Sequence, residues 1–576
     1  MTIKHVVVVM LENRSFDNVL SALKGTPPTH TNEGPAGSVA THAAAAKRIG
    51  DSGATYAGTT LPLIDPGEKF SDMAQQFLNE TAGDNPYDNY DSNAPMSGFV
   101  NNYAAQKTVK VPTENLPDVM AYLTPEQLPV TSFLARNYGV CERWFASVPT
   151  QTYANRAFAL TAAPSVHASA FKTYSLIEDA EYYLPLVDPI EMPSLLALLD
   201  TEMPKKPNPV QPPYWKVYFH DYSIAEQTVP YVANKAGDPK NNVARYDDCD
   251  WGPTKPSTFV EDVKQGTLPP FSFIEPRYFD NCATNHLPPN SNHPGASNQL
   301  TTTEIIEGGK NPVTPTNPPI DVATSEAFLM DVYNRLRCSA LWADTLLIIT
   351  YDEHGGIYDS VPPPSANPPG TINWDGKKPK HAPDSVPPCS NFDKSADGFE
   401  FTVYGGRVPA IIVSAYTAPG PIAVPAADKP PFEHASIVRT VRDIFDLGDP
   451  LNDRDANAPS LLDSLGSMNE TEKIGGIIVA GPRSPVLTYS NGVVAPSSAT
   501  RIFANAGRDA GRNVPIVPST NEPWLTASIS ELCDQLVQLA IVADNLPQGS
   551  GPFTANVILN ASACAPLTIP VTLTLT

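Results

Sequence analysis

Apolar residues follow two rhythms along this chain, and the change between them falls near residue 470. Before it, continuous apolar runs suited to strands buried on both faces of a parallel sheet occur at Val6 to Leu11, Phe271 to Ile274, Leu346 to Ile349 and in "VPAIIVSAY" from Val408. Helical patterns and long irregular inserts separate them. In "PFEHASIVRTVRDIF", Ile437, Val441, Ile444 and Phe445 share one face, which predicts a helix with His434 at its N-terminal end. This alternation predicts an α/β domain over 1–470, built on a mostly parallel sheet flanked by helices. From Ser484 the pieces are short and strand-like, "VLTYS", "ATRIFANAG", "WLTASIS", "VQLAIVAD", "TANVILNAS" and "IPVTLTLT", broken by Gly, Pro and Asn. They predict a small antiparallel β-sandwich over 482–576.

Composition narrows the partners. The 576 residues carry a formal charge of −23 and no basic cluster, which argues against nucleic acid, whose phosphates are bound through grouped Lys and Arg. The same charge disfavours strongly anionic membranes but leaves zwitterionic lipid and small phosphate esters open. No apolar run is long enough to span a bilayer, so any membrane contact is expected to be peripheral. Six apolar residues before Glu12 are too few for a signal-peptide core: either a signal has been removed or export does not use that route. Proline, at 62 residues, is about twice its usual share and crowds into stretches such as "VPPPSANPPG", which read as ordered excursions shaping a pocket. The seven cysteines show no zinc-ligand spacing, and Cys249 with Cys282 is a candidate pair in an oxidising compartment.

Four stretches carry candidate chemistry. "VMLENRSFD" ends an apolar run in Glu12 and Asn13, and "LLIITYDEHGG" ends another in Asp352, Glu353 and His354. These oxygen donors emerge where buried strands surface, the edge at which α/β sheets bind ligands, and they suit Mg, Ca or Mn. In "SVPTQTYANRAFALTA", Thr152 precedes Asn155 and Arg156 at the start of a helical pattern, where unpaired N–H groups favour an anion. Taken alone, that stretch reads first as a helix cap. The fourth is imidazole, His293 in "NSNHPG" and His434 in "FEHAS", a residue type that can protonate a departing alkoxide.

Together with "GGRVPAIIVSAY", these stretches resemble the bacterial phosphoesterase family that contains phosphatidylcholine-hydrolysing phospholipase C and respiratory-burst-inhibiting acid phosphatase, within the alkaline phosphatase superfamily. The matches keep their order from residue 3 to about 446. The resemblance implies an alkaline-phosphatase-like sheet, Thr152 as nucleophile, Glu12, Asn13, Asp352 and Glu353 with Thr152 around one divalent metal ion (Ca, Mg, Mn or Zn), and His293 and His434 at the phosphate or leaving group. Asn155 and Arg156 are further candidates for the phosphate oxygens, and His354 is carried as a catalytic candidate beside Glu353. It also implies a secreted or periplasmic location. The chain departs from the family pattern in having Asn292 before His293, Ala154 in place of a proline, and Glu68 or Lys69 near an expected upstream histidine.

The expected activity is therefore hydrolysis of a choline phospholipid through a phosphothreonine, with a broad acid phosphatase as the alternative. A different class is a decayed enzyme that binds lipid or glycan surfaces. The tail resembles bacterial immunoglobulin-like modules of the BACON type, which makes Trp524 a core residue rather than a sugar platform.

Overall fold

In the computed structural model, the described residues are 3–23, most of 62–106, 111–182, 192–235, 242–247, 258–279, 289–295, 322–373, most of 389–422, 429–468 and, with short breaks, 476–575. The proposed Cys249–Cys282 pair lies outside them. The centre of the structure is an eight-stranded sheet. Its strands are β1 (His5–Leu11), β2 (Gly139–Val140), β3 (Trp215–Phe219), β4 (Val243–Arg245), β5 (Phe271–Ile274), β6 (Thr345–Tyr351), β7 (Ala410–Ser414) and β8 (Gly420–Pro421). They lie in the order β8-β2-β7-β6-β1-β5-β3-β4, and β7 alone runs antiparallel to its neighbours.

β1 is "HVVVVML", a β-branched run that the pleated interior accommodates on both faces, and Val6 to Leu11 are fully buried. β6 is buried along its whole length. The two pair in parallel with His5 opposite Thr345 and Leu11 opposite Tyr351. Their ends are therefore flush, and the residues that follow leave the sheet side by side. β5 flanks β1 on the other side, with Val9 opposite Ile274.

Helices cover this sheet. Those that matter for the site are α1 (Phe16–Leu20), α2 (Phe70–Leu78), α3 (Pro129–Asn137), α4 (Thr152–Thr161), α5 (Val322–Arg337) and α6 (Ala435–Phe445). α6 is the helix the sequence predicts, with His434 at its N-cap and Ile437 and Val441 buried. It packs against α4, and α3 packs against α5. Glu326 of α5 accepts hydrogen bonds from the first N–H groups of α3, at Val130 and Thr131, which supplies the cap that Leu128 cannot.

The tail forms two further sheets. One contains β9 (Gly476–Ala480), β12 (Ala499–Asn505), β15 (Leu536–Ala543) and β14 (Leu525–Cys533). The other contains β11 (Val493–Ala495), β10 (Val486–Ser490), β17 (Leu567–Leu575), β16 (Pro552–Ala561) and β13 (Ile516–Thr520). All pairings are antiparallel except β10 with β17. Trp524 lies in the tail's own core with Leu539, Ile541, Val557 and Val571. β9 and β12 lie against α3 and α5. Among the described residues no helix is long and apolar enough to cross a membrane.

Ile348 is fully buried at the middle of β6. Ile348→Ala should cost about 2–5 kcal/mol through lost burial and the cavity left behind, read as a lower urea midpoint at an unchanged m-value.

Candidate active site

The flush ends of β1 and β6 place Glu12 and Asn13 beside Asp352 and Glu353. Backbone bonds stitch the two turns together: Asp352 N–H donates to the Leu11 carbonyl at 3.1 Å, and Arg14 N–H donates to the Glu353 carbonyl at 3.1 Å. Asn13 has φ of 58°, a left-handed conformation that asparagine tolerates better than most residues. Its backbone N–H donates to Asp352 Oδ1 at 3.0 Å. Gly355 lies directly over this turn with φ of 66°, and a Cβ there would stand 2.1 Å from the Asn13 carbonyl oxygen. Gly356 is left-handed as well, and its Cβ would meet the Gly67 carbonyl oxygen at 2.5 Å. The paired glycines of "DEHGG" are thus what let three chain segments close on one point.

The rest of "ENRSFD" is equally engaged. Arg14 Nε donates to the Asn292 carbonyl at 2.8 Å, fixing the segment that carries His293. Ser15 caps α1 through Asn18 N–H and donates to the Tyr358 carbonyl. Asp17 pairs with the buried Arg407, which also holds Asp359.

Thr152 is the first residue of α4 rather than its cap. Its Oγ1 lies 3.4 Å from Asn13 Oδ1, and only 5% of the residue is exposed. Asn155 braces the turn before it, accepting from Val148 N–H and donating to the carbonyls of Val148, Thr150 and Gln151. Arg156 ties helix to sheet. Its Nε meets Asp352 Oδ2 at 3.1 Å and its Nη2 donates to the carbonyls of Met10 and Leu11. Its Nη1 makes no hydrogen bond and lies 3.9 Å from Glu275 Oε1, one strand over.

The three candidate histidines separate. His293 is at the rim, with 26% of its side chain exposed, 3.8 Å from both Asp65 and Glu68. Burial pulls its pKa down, but the charges of Asp65 and Glu12 outweigh that and raise it. His434 is enclosed, expected at the phosphate but with both ring nitrogens occupied inside the protein. Its Nε2 donates to the Asp352 carbonyl at 2.6 Å, and its Nδ1 accepts from the Trp144 indole at 3.3 Å. His354 points behind Glu353, donating from Nε2 to Gln76 at 2.9 Å between Phe77 and Phe99. Burial lowers the pKa of His434 to about 4 and of His354 to about 3, so both are neutral imidazoles. His434 thus steadies Asp352 through its backbone, while His354 is held by Gln76 with its Nδ1 3.6 Å from Glu353 Oε2.

Three more carboxylates join the cluster, of which the sequence marks only Glu68, as standing near an expected upstream histidine. Glu68 accepts from Asn13 Nδ2 at 2.5 Å, Asp65 stands three residues before it, and Asp179 accepts from Tyr153 N–H at 2.9 Å. The Asp65-Pro-Gly turn that Gly356 packs on was the available clue. Burial raises Glu12 to about 7, Asp179 to about 8, and Glu353 and Glu68 well above the usual carboxylate range, with like charges adding to the rise. Glu353 Oε1 and Asp65 Oδ1 are buried without a hydrogen bond. Crowded oxygen donors with spare lone pairs are what a divalent cation requires, so the residues present fit one.

Comparison with known proteins places this geometry. The model of the Phosphoesterase family matches residues 3–448. The chain is 28% identical over 477 residues to non-specific phospholipase C6 of Arabidopsis thaliana, covering 81% of this chain and 72% of that protein. It is 26% identical over 468 residues to phospholipase C A of Mycobacterium tuberculosis, covering 78% and 74%. A solved structure of a protein in the alkaline phosphatase superfamily from Vibrio parahaemolyticus overlaps 66% of this chain and 72% of its own at 11% identity, with a TM-score of 0.28, too loose to add to the comparison.

A carboxylate whose folded pKa is raised contributes stability below its unfolded pKa and loses it as pH rises through the folded value. For Glu12 that window runs from 4.5 to about 7. The chelated protein should therefore lose melting temperature across this range. Added divalent cation should restore more of it at about pH 8 than at about pH 5; equal increments at both pH values would mean the cluster is not the binding site.

Proposed function

Because the chain belongs to the Phosphoesterase family and is a phosphoric ester hydrolase, we propose that it is a phospholipase C that cleaves choline phospholipids at Thr152. The observation that carries this reading is the Thr152 hydroxyl, at the N-terminus of α4 and 3.4 Å from Asn13 Oδ1, inside the carboxylate cluster.

Glu12, Asn13, Asp352 and Glu353, with Thr152, are the residues that would hold a divalent cation. When bound, it supplies the positive charge that favours an anionic Thr152 oxygen. The chain's own groups do the rest. Arg156 and His434 fix Asp352 from two sides, and Asn155 holds the turn that presents Thr152. Thr152 Oγ attacks phosphorus as the bond from phosphorus to the diacylglycerol oxygen breaks, giving a phosphothreonine diester. Water then attacks that phosphorus, the bond to Oγ breaks, and the phosphomonoester of the headgroup leaves. The free N–H of Arg156 Nη1 is the remaining donor for a phosphoryl oxygen, and His293 at the rim is placed for the departing alkoxide.

Headgroup choice follows from the aromatic side chains beside Thr152. Tyr153 and Tyr278 are buried together with Ile224, and Tyr222 and Phe279 pack at their edge. Such faces suit a quaternary ammonium. A zwitterionic lipid also matches the net charge of −23, which would repel anionic surfaces.

Thr152→Ala should keep its fold, still bind the cation through Glu12, Asn13, Asp352 and Glu353, and lose at least about a thousandfold in turnover of p-nitrophenyl phosphorylcholine. Near-normal turnover would rule out the covalent route. Tyr222→Ala should raise KM for this choline diester and leave that for p-nitrophenyl phosphate unchanged. A wild-type preference for the monoester would move the assignment to acid phosphatase.

A further inference from the structure

The carboxylate cluster is wider than one cation needs. Glu12, Asn13, Asp352 and Glu353 converge around Thr152, but Asp65, Glu68 and His293 form a second group on the far side of the Asn13 amide. One ligand atom from each of these three lies within 4.8 Å of the other two. His293 stands 3.8 Å from Asp65 Oδ1 and 3.8 Å from Glu68 Oε1. The Asp65 distance is from Nδ1 and the Glu68 distance from Nε2; the latter, too long for a hydrogen bond, is a span that two atoms about 2.0–2.2 Å from a shared metal ion can have.

Three further observations point the same way. His293 Nδ1 donates to the Pro294 carbonyl at 2.8 Å, the orientation that metal-bound imidazoles usually receive from a backbone oxygen, and this leaves the Nε2 lone pair turned to Glu68. Asp65 Oδ1, the atom that faces His293, is buried without a hydrogen-bond partner, and the charge of the wholly buried Glu353 bears on Asp65 and Glu68. The fixed positive charge that bears on Asp65 is Arg14, whose Nε is already committed to the Asn292 carbonyl at 2.8 Å.

We propose that Asp65, Glu68 and His293 bind a second divalent cation, of the manganese or zinc class, next to the one expected at Thr152. A mixed nitrogen and oxygen donor set favours such ions over Ca or Mg. The Asn13 amide joins the two sites, its Nδ2 on Glu68 and its Oδ1 toward Thr152. This deepens the phosphoesterase reading: with His293 as a ligand, the charge of the second cation rather than an imidazole proton would meet the departing oxygen, as in two-cation centres. It is tested independently of turnover.

The full chain, stripped with chelator, is titrated with Mn2+ while free Mn2+ is followed by electron paramagnetic resonance. Wild type should bind two equivalents with a spin-coupled signal. Glu68→Gln, which keeps the bond to Asn13 and removes the charge, should bind one uncoupled equivalent, and Glu68→His, which supplies another donor, should regain the second. Thr152→Ala should retain both, so failure of the covalent mechanism and failure of the second site are separate results. One equivalent in wild type, or two in Glu68→Gln, would overturn the proposal. Should circular dichroism show Glu68→Gln unfolded, His293→Gln at the partly exposed rim gives the same reading.

Discussion

Everything at the site depends on the register of one parallel strand pair. With Leu11 opposite Tyr351, the chain leaves the sheet at Glu12 and Asp352 on adjacent strands at the same height. A slip of one residue would turn each side chain to the opposite face and pull the donors apart. The register is held by burial, since neither β1 nor β6 has a solvent face on which an alternative alignment could rest. The cost of assembling like charges is thus met by apolar packing several residues away, and the cluster is an imposed arrangement rather than a relaxed one.

Arg156 converts that sheet edge into a reaction site. Its guanidinium reaches two carbonyls of β1, the carboxylate after β6 and the neighbourhood of the glutamate after β5. One side chain on α4 therefore reads the ends of three strands and sets where Thr152 stands over them. His434 secures the same Asp352 from α6 through its backbone. The two helices that pack on each other thus both anchor on one aspartate, and movement of either would be felt at Thr152.

How much of this was legible in the sequence depended on the scale of the pattern. The apolar runs of β1, β5, β6 and β7, the helix after His434 and the β-rich tail with a buried Trp524 were readable because their periodicity is local. The alignment of ENRSFD with DEHGG was readable because both follow buried strands. What was not readable is contact between segments far apart in sequence. Asp65, Glu68 and Asp179 carry no periodicity and no motif that spacing alone could pair with residue 13 or 153. The surroundings of the histidines were not readable either: His354 and His434 lie in motif stretches, but only the structure shows Gln76 on one ring and Trp144 on the other. The parallel pairing of β10 with β17 was missed for the same reason, since strand direction depends on partners that the tail's own periodicity does not name.

The close approach of Gly355 to Asn13 and of Gly356 to Gly67 bears on time as well as place. Loops at binding sites generally belong to the least protected part of a protein, opening far more often than the core. Here the loops are pinned by backbone bonds between Leu11 and Asp352 and between Glu353 and Arg14, with no side chain between the glycines and the segments they touch. Their amide hydrogens should exchange on the slow timescale of the sheet itself. Admission of a phosphoric ester then falls to the partly exposed rim at His293, so that the donors sit on a rigid floor and breathing is left to the wall.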